Sequence, residues 1–218
     1  MEKPEARSQK PGTVLVCFAL KEEAGAFQKL AAGREDVSIL ITGIGQKNAE
    51  TSVRGFLESK IPQRVFTCGF AGGLNPELKI GDVLFSTLQR TVWDALERQG
   101  ARSAYFYCGN RIATTAAEKT ELRRKTRQDA VEMESGHIQQ ICRERKIPCT
   151  TVRVISDPAN EDMPFDFNQL SKPDSSLDFG KLAWATLKSP GKIPALLRLR
   201  KNTQLAAKNL ATVLEKLL

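Results

Sequence analysis

The sequence is poor in histidine and in long apolar segments. Its 218 residues include a single histidine, His137, which excludes a metal site built from several histidines. The longest uninterrupted apolar run, residues 14–20, is far too short to span a bilayer. Residues 1–12 are polar and lack the apolar core of a signal peptide, so we expect a flexible tail there and a cytoplasmic protein.

Cysteine is sparse and irregularly spaced. The five cysteines form no C-x-x-C pair, and three of them lie among apolar neighbours in predicted strands or helices: Cys17, Cys68, Cys108, Cys142 and Cys149. Reduced, buried thiols explain this pattern better than disulfides or zinc ligands. We therefore expect neither a metal nor another cofactor.

Acidic residues are outnumbered by basic ones, which gives a net charge of +8 at pH 7. Such an excess is compatible with a nucleic-acid partner, an anionic membrane or simply a basic surface. Lys and Arg are scattered, with one denser cluster at 188–201, and no basic stripe is interleaved with aromatic residues. We therefore expect no nucleic-acid partner. The 41% hydrophobic and 27% charged content is typical of globular proteins, and the length favours one α/β domain over 1–218.

Residues 129–158, DAVEMESGHIQQICRERKIPCTTVRVISDP, form the most informative stretch. The pattern predicts a short strand ending at Glu132, then a helix, then a buried β-branched strand over 149–155. Glu134 also lies near the end of the first strand, and Asp157 lies at the end of the second. Ligands bind outside the carboxyl ends of strands in open parallel sheets, so three carboxylates there indicate a site.

The first third of the chain predicts more strands and turns. Strands are expected at three places: 13–19, 37–42 and 64–70. Glu23, at the start of a helix predicted over 21–32, either faces the same crevice as Asp157 or lies in a solvated first turn. The small residues 71–73 either form a plain turn or let backbone N–H groups approach a ligand oxygen.

The rest of the chain is predicted in less detail. The expected elements are a strand over 78–87 interrupted by Gly81, β-like residues at 104–108, a charged surface helix over 115–127, a long loop or lid over 159–178, a helix over 177–187, breaks at Pro190 and Pro194, and a final helix that docks on the sheet. Within 192–201, the apolar residues 193–199 are flanked by cations, a pattern typical of a segment at an anionic lipid surface. Leucines packed on the sheet beside solvated cations are the alternative.

Four stretches together resemble the nucleoside phosphorylase superfamily, most closely the methylthioadenosine/S-adenosylhomocysteine nucleosidases. In chain order they are VLVCFALKEEAGAF at 14–27, ITGIGQKNAE at 41–50, TCGFAGGLNPELKIGDVLFST at 67–87 and AVEMESGHIQQICRERKIPCTTVRVISD at 130–157. The resemblance implies a three-layer α/β/α fold with a central mixed, twisted sheet, a homodimer, and cleavage of the N-glycosidic bond of purine nucleosides.

The resemblance also implies roles for single residues. Asp157 would protonate the purine at N7, and Glu23 would activate the water that attacks C1′. Glu134 would bind the ribose hydroxyls, with Met133 packing under the sugar. The other residues implied to line the pocket are Gly69, Phe70, Ala71, Gly72, Arg111, Ile112, Glu132 and Ser156.

The chemistry independently calls for carboxyl groups in two protonation states. Purine is a poor leaving group until it is protonated, and the sugar becomes oxocarbenium-like as it departs, so one carboxyl must donate a proton while another is ionised. The acidic loop around Glu23 repels phosphate and suits water, which favours hydrolysis over phosphorolysis. A phosphorylase and a catalytically silent nucleoside-binding protein are the alternatives, although the presence of all three carboxylates argues against a silent site.

Two departures from the family pattern concern the substrate. The segment before the V-E-M-E motif is short, and Arg111 lies where an aromatic residue is expected to stack on the purine, although a guanidinium can also stack on a base. The region 165–201 resembles the tail of hopanoid-associated members, which act on adenosylhopane. An adenosylhopane-type substrate is therefore an alternative to methylthioadenosine or S-adenosylhomocysteine.

Overall fold

The computed structural model describes residues 13–170, 172 and 178–218. The predicted tail at 1–12 lies outside the described residues, as do 171 and 173–177 of the predicted lid. The strands are β1 Val14–Phe18, β2 Val37–Ile41, β3 Arg64–Gly73, β4 Val83–Ser86, β5 Arg102–Ser103, β6 Phe106–Cys108, β7 Ala130–Glu132 and β8 Cys149–Asp157. The helices are α1 Lys21–Leu30, α2 Gln46–Ser59, α3 Arg90–Arg98, α4 Ala116–Thr126, α5 Ser135–Glu144, α6 Phe179–Lys188, a 3₁₀ helix Pro190–Lys192 and α7 Ile193–Leu217.

The strands form one mixed sheet with the order β2-β1-β3-β8-β4-β5, and β7 joins β6 to β3. Strands β2, β1, β3 and β8 run parallel, whereas β4 is antiparallel to β8 and β7 is antiparallel to β3. Helices cover both faces of this sheet, which confirms the predicted three-layer α/β/α architecture with a mixed central sheet.

The alternation of side chains along β1 explains the two faces. Val16 and Phe18 point into a core shared with α1 and α7, and Leu15 and Cys17 point into a second core shared with α2 and α5. Successive side chains of a strand point to opposite faces, so an uninterrupted apolar strand is what a sheet covered on both sides requires.

Strand β3 is longer than predicted, because residues 71–73 continue the strand and do not form a turn. Gly72 is paired with a residue of a neighbouring strand on each side, Val131 of β7 and Asp157 of β8. A Cβ added at Gly72 would lie 3.1 Å from Asp157 Oδ2 and 3.2 Å from Val131 Cγ1. The small residues are therefore needed because two strands and a carboxylate approach the same backbone closely.

The sequence suggested that the carboxyl ends of β7 and β8 meet at one edge of a parallel sheet. They do not. Strand β7 runs antiparallel to β3, whereas β8 runs parallel to it. The two strands flank the glycine-rich end of β3 on opposite sides, so that Glu132 contacts Arg153 and Asp157 lies beside Gly72. The predicted carboxylates are thus assembled by a different topology from the expected one.

Other boundaries differ from the predictions. Only Val83–Ser86 of the predicted strand at 78–87 is a strand, and residues 90–98, left unassigned by the sequence pattern, form α3. Pro194 does not interrupt a helix, because it lies in the first turn of α7, where a missing N–H is tolerated. Within the described part of the chain, no helix is long and apolar enough to cross a bilayer.

Candidate active site

Arg153 lies at the centre of the site, in the middle of β8, with only 1% of its surface exposed. Its Nη2 atom lies 2.6 Å from Glu132 Oε2 and 3.4 Å from Glu134 Oε2. Burial disfavours the guanidinium charge, but the surrounding carboxylates outweigh burial and raise the pKa of Arg153. Among the described residues Arg153 Nε has no hydrogen-bond partner, so one donor of this buried cation remains available.

Glu23 reaches the same place from the first turn of α1. Its Oε2 accepts a hydrogen bond from the backbone N–H of Leu20 at 2.9 Å, and its Oε1 accepts one from Phe70 at 2.8 Å. A Cβ added at Gly69, where φ is +148°, would lie 2.7 Å from Glu23 Oε1 and 2.8 Å from Arg153 Nη1. Glycine is therefore required at 69 both for its backbone conformation and for the approach of the two charged groups.

Burial raises the pKa of Glu23, while Arg153 and the backbone N–H donors act in the opposite direction. A buried carboxylate held in one orientation beside a cation can accept a proton from a bound water. The alternative of a solvated first turn is wrong for Glu23, which is buried, and it fits the neighbouring Glu22, which is exposed.

Glu134 is held by the turn before α2. Its Oε1 accepts a hydrogen bond from the backbone N–H of Gly45 at 2.8 Å, and Gly45 has a positive φ of +83°. Burial raises the pKa of Glu134 to about 7, against the effect of Arg153. The Met133 side chain approaches the same turn, because its Cε would lie 3.8 Å from a Cβ added at Gly45. Glu134 and Met133, which the resemblance implied to lie at the sugar, thus both contact this turn.

Both carboxylate oxygens of Glu132 accept hydrogen bonds from other groups of the protein. Its Oε2 accepts hydrogen bonds from the backbone N–H groups of Glu134 and Ser135 at 3.1 and 2.7 Å and from Arg153 Nη2 at 2.6 Å. Its Oε1 accepts a hydrogen bond from Ser135 Oγ at 2.7 Å. This arrangement fixes Arg153 and the start of α5, while direct contact between Glu132 and a substrate stays a prediction.

Asp157 lies at the other end of the glycine-rich part of β3. Its Oδ1 accepts a hydrogen bond from Ser156 Oγ at 2.8 Å, and Lys119 Nζ lies 2.6 Å from its Oδ2. Ser156 Oγ is also within 3.5 Å of the carbonyl oxygen of Ala71. Gly69 and Gly72 lie three residues apart on β3, so the Glu23 end and the Asp157 end are separated by roughly 10 Å along the strand.

The residues predicted to meet the base lie in the connection between β6 and α4. The Arg111 side chain is 59% exposed and forms an ion pair with Glu118. The backbone of Ile112 is bonded twice to the carboxamide of Asn168: Ile112 N–H donates to Oδ1 at 2.9 Å, and Nδ2 donates to the Ile112 carbonyl at 3.0 Å. Stacking of Arg111 on a purine is not tested by this geometry and stays a prediction.

A small cleft adjoins Asp157 on the side of the C-terminal region. It is lined by residues 157–158 and 161–164 on one side and by Ala195, Arg198 and Leu199 of α7 on the other. The C-terminal helix therefore contributes side chains next to the predicted acid.

Two site residues, Arg153 and Lys119, were missed by the sequence analysis. Arg153 could have been found, because a cation within the otherwise uncharged strand CTTVRVIS needs buried partners. Lys119 gives no such signal, since it is one of several cations in a helix predicted to lie on the surface. Its burial depends on contacts with residues almost forty positions away in the sequence.

A family model described as "Phosphorylase superfamily" matches residues 18–94 and 87–188 of the chain. The aminodeoxyfutalosine nucleosidase of Campylobacter jejuni is 28% identical over 159 residues, which cover 58% of this chain and 69% of that protein. The 5′-methylthioadenosine/S-adenosylhomocysteine nucleosidase of Glaesserella parasuis is 28% identical over 168 residues, which cover 62% and 73%.

Solved structures share the fold over nearly the whole chain. The futalosine hydrolase of Helicobacter pylori aligns with a TM-score of 0.73 at 15% identity, covering 96% of this chain and 98% of that one. The 5′-methylthioadenosine/S-adenosylhomocysteine nucleosidase of Neisseria meningitidis, in complex with methylthio-immucillin-A, aligns with a TM-score of 0.70 at 19% identity, covering 94% and 98%. At these identities the likeness supports the architecture alone.

Proposed function

The chain belongs to the phosphorylase superfamily, and from this premise we propose that it hydrolyses the N-glycosidic bond of a 5′-modified adenosine and releases adenine. The observation that carries the proposal is the placement of Glu23 with Arg153 at Gly69, and of Asp157 beside Gly72, along a single strand. An acid and a base are thereby held at the two ends of one glycine-lined segment.

The proposed reaction divides the work between these ends. Asp157 donates a proton to N7 of the purine, the bond between C1′ and N9 breaks, and its electron pair leaves with the base. Water adds to C1′ and gives its proton to Glu23, with Arg153 positioning that carboxylate. Glu134 accepts hydrogen bonds from the ribose hydroxyls above Met133. Gly69 and Gly72 lie roughly 10 Å apart along β3, which is compatible with direct displacement by a water held between Glu23 and C1′, on the face of the sugar opposite the purine.

Hydrolysis is favoured over phosphorolysis by the charges around the nucleophile. Glu23, Glu132 and Glu134 surround Arg153, so the carboxyl groups outnumber the cation. A phosphate dianion needs an excess of cationic or N–H donors, whereas a neutral water meets no repulsion.

The test is release of adenine from 5′-methylthioadenosine with and without phosphate. We expect turnover that phosphate does not accelerate, and we expect Asp157→Asn to lower kcat by about 10²–10⁴-fold because an amide cannot donate the proton. Asp94→Asn, on the surface of α3, is the control and should be unaffected. A strict requirement for phosphate would favour the phosphorylase, and binding of adenine without turnover of any 5′-modified adenosine would favour the silent binding protein.

A lipid-linked nucleoside of the adenosylhopane type is the second candidate substrate, and the C-terminal region is the observation that favours it. Within the described structure α6 buries no residue, and Trp184 and Leu187 are 61% and 75% exposed. From Phe179 to Asn202 the sequence has no Asp or Glu, and it carries the cations Lys181, Lys188, Lys192, Arg198, Arg200 and Lys201.

We therefore propose that α6 and residues 192–201 contact an anionic lipid surface. Each cation near such a surface contributes roughly 1 kcal/mol, and the same part of α7 lines the cleft beside Asp157. The protein should sediment with anionic vesicles better than with neutral ones at low salt, and Trp184→Ser should weaken this binding. Ile61→Ser, an exposed apolar residue after α2, is the control. Equal sedimentation with both vesicle types would remove the support for a lipid-linked substrate.

Three broader proposals complete the assignment: residues 1–218 form one domain, the protein is a homodimer, and it acts in the cytoplasm. Sedimentation velocity tests the dimer, since a monomer at every concentration would contradict it.

A further inference from the structure

Lys119 is a buried cation that the sequence placed on a surface helix. Its side chain is 0% exposed, whereas its neighbours on α4 are partly or fully exposed. An ammonium group is costly to bury unless each of its three N–H donors finds an acceptor. Three acceptor oxygens surround Lys119 Nζ, which forms an ion pair with Asp157 Oδ2 at 2.6 Å and donates hydrogen bonds to the carbonyl oxygens of Pro158 and Glu161 at 2.8 and 3.1 Å.

These contacts leave Asp157 with one orientation. Ser156 Oγ donates a hydrogen bond to its Oδ1, and Lys119 Nζ forms an ion pair with its Oδ2, so the carboxylate is held at both oxygens. The two carbonyl bonds hold the segment after β8. The ion pair contacts the side chain that the proposed function makes the proton donor, and it is therefore the informative contact.

We propose that Lys119 is a positioning residue for proton transfer by Asp157. The proposal rests on the proposed function. When the proton moves from the Asp157 carboxyl to N7, the bond from C1′ to the base breaks and Asp157 is left as a carboxylate. Lys119 fixes the orientation of the Asp157 carboxyl that donates the proton, and its ammonium stabilises the carboxylate that is left. Lys119 touches neither the substrate nor the water in this scheme, and it acts through Asp157.

The decisive measurement compares leaving groups that do and do not need a proton. Lys119→Met should lower kcat for 5′-methylthioadenosine by about 10²-fold, the order expected for impairing one positioned acid. Its kcat for 4-nitrophenyl β-D-ribofuranoside, whose nitrophenolate leaves without protonation, should change by less than about threefold. Lys119→Arg keeps a cation and should recover part of the loss. Lys125→Met, on the exposed side of α4, is the matched control and should match the wild type.

The outcomes separate the possible roles. A parallel fall for both leaving groups, or no fall for either, would overturn the proposal and leave Lys119 as an anchor of the segment after β8. If the riboside is not cleaved by the wild type, the double variant with Asp157→Asn replaces it, since Lys119→Met should then cause no further loss. If Lys119→Met does not fold, Lys119→Gln keeps two N–H donors without the charge. A folded wild type that releases no adenine would instead refute the proposed function itself.

Discussion

Replacement of Arg153 by methionine removes the positive charge that three buried carboxyl groups face. Methionine fills much of the same space, so the loss comes chiefly from leaving Glu23, Glu132 and Glu134 without their cation. Breaking a buried ion pair by removing one partner costs about 3–5 kcal/mol, and we expect the free energy of unfolding to fall by that amount near pH 8. Arg54, whose pair with Glu144 is 45% and 42% exposed, is the control, and Arg54→Met should cost at most about 1 kcal/mol.

The pH dependence makes this prediction specific. Burial raises the pKa values of Glu23 and Glu134 and Arg153 lowers them, so both values rise further in the variant. When the pKa of a carboxyl is higher in the folded than in the unfolded state, the free energy of unfolding of the protein falls as the pH rises between the two values. For Glu134 in the wild type this window runs from 4.5 to about 7, and in Arg153→Met it extends upward.

Urea unfolding at about pH 5 and about pH 8 measures both effects. The difference between wild type and Arg153→Met should be smaller near pH 5, where protonation neutralises carboxyl groups that have lost their cation. A cost below about 1 kcal/mol near pH 8, or a cost no greater there than near pH 5, would refute the electrostatic account of the cluster.

The other predictions concern the proposed reaction. Glu23→Gln should lower kcat by about 10²–10⁴-fold and leave the affinity for adenine, measured by calorimetry, unchanged; exposed Glu22→Gln is its control, and near-normal turnover would contradict the role of Glu23. Because the pKa of Glu134 is about 7, KM should rise as the pH falls below that value and its carboxylate is lost, and Glu134→Gln should remove this dependence. Asn168→Ala frees the N–H and carbonyl of Ile112 and should tighten adenine binding if Ile112 meets the base, whereas an unchanged Kd would place the base elsewhere.

The sequence predicted those strands and helices that have a clear apolar periodicity of their own. Strand β1 and helix α1 follow from apolar periodicity, and the positions of Glu23 and Asp157 at the ends of elements follow from them. The continuation of β3 through Gly72 could not be predicted, because glycine has no preference for strands and the pairing depends on β7 and β8. The contact between Lys119 and Asp157 could not be predicted either, because the two residues are far apart in the sequence and become neighbours only in the complete fold.

The imbalance of charge around Arg153 has a consequence for ligand binding. With three carboxyl groups and one guanidinium, and with the pKa of Glu134 at about 7, the cluster takes up a proton near neutral pH. A ligand that carries a positive charge where the ribosyl cation forms would supply that charge and expel the proton. Its affinity should then rise with pH and its binding should release protons into the buffer, whereas the binding of neutral adenine should do neither.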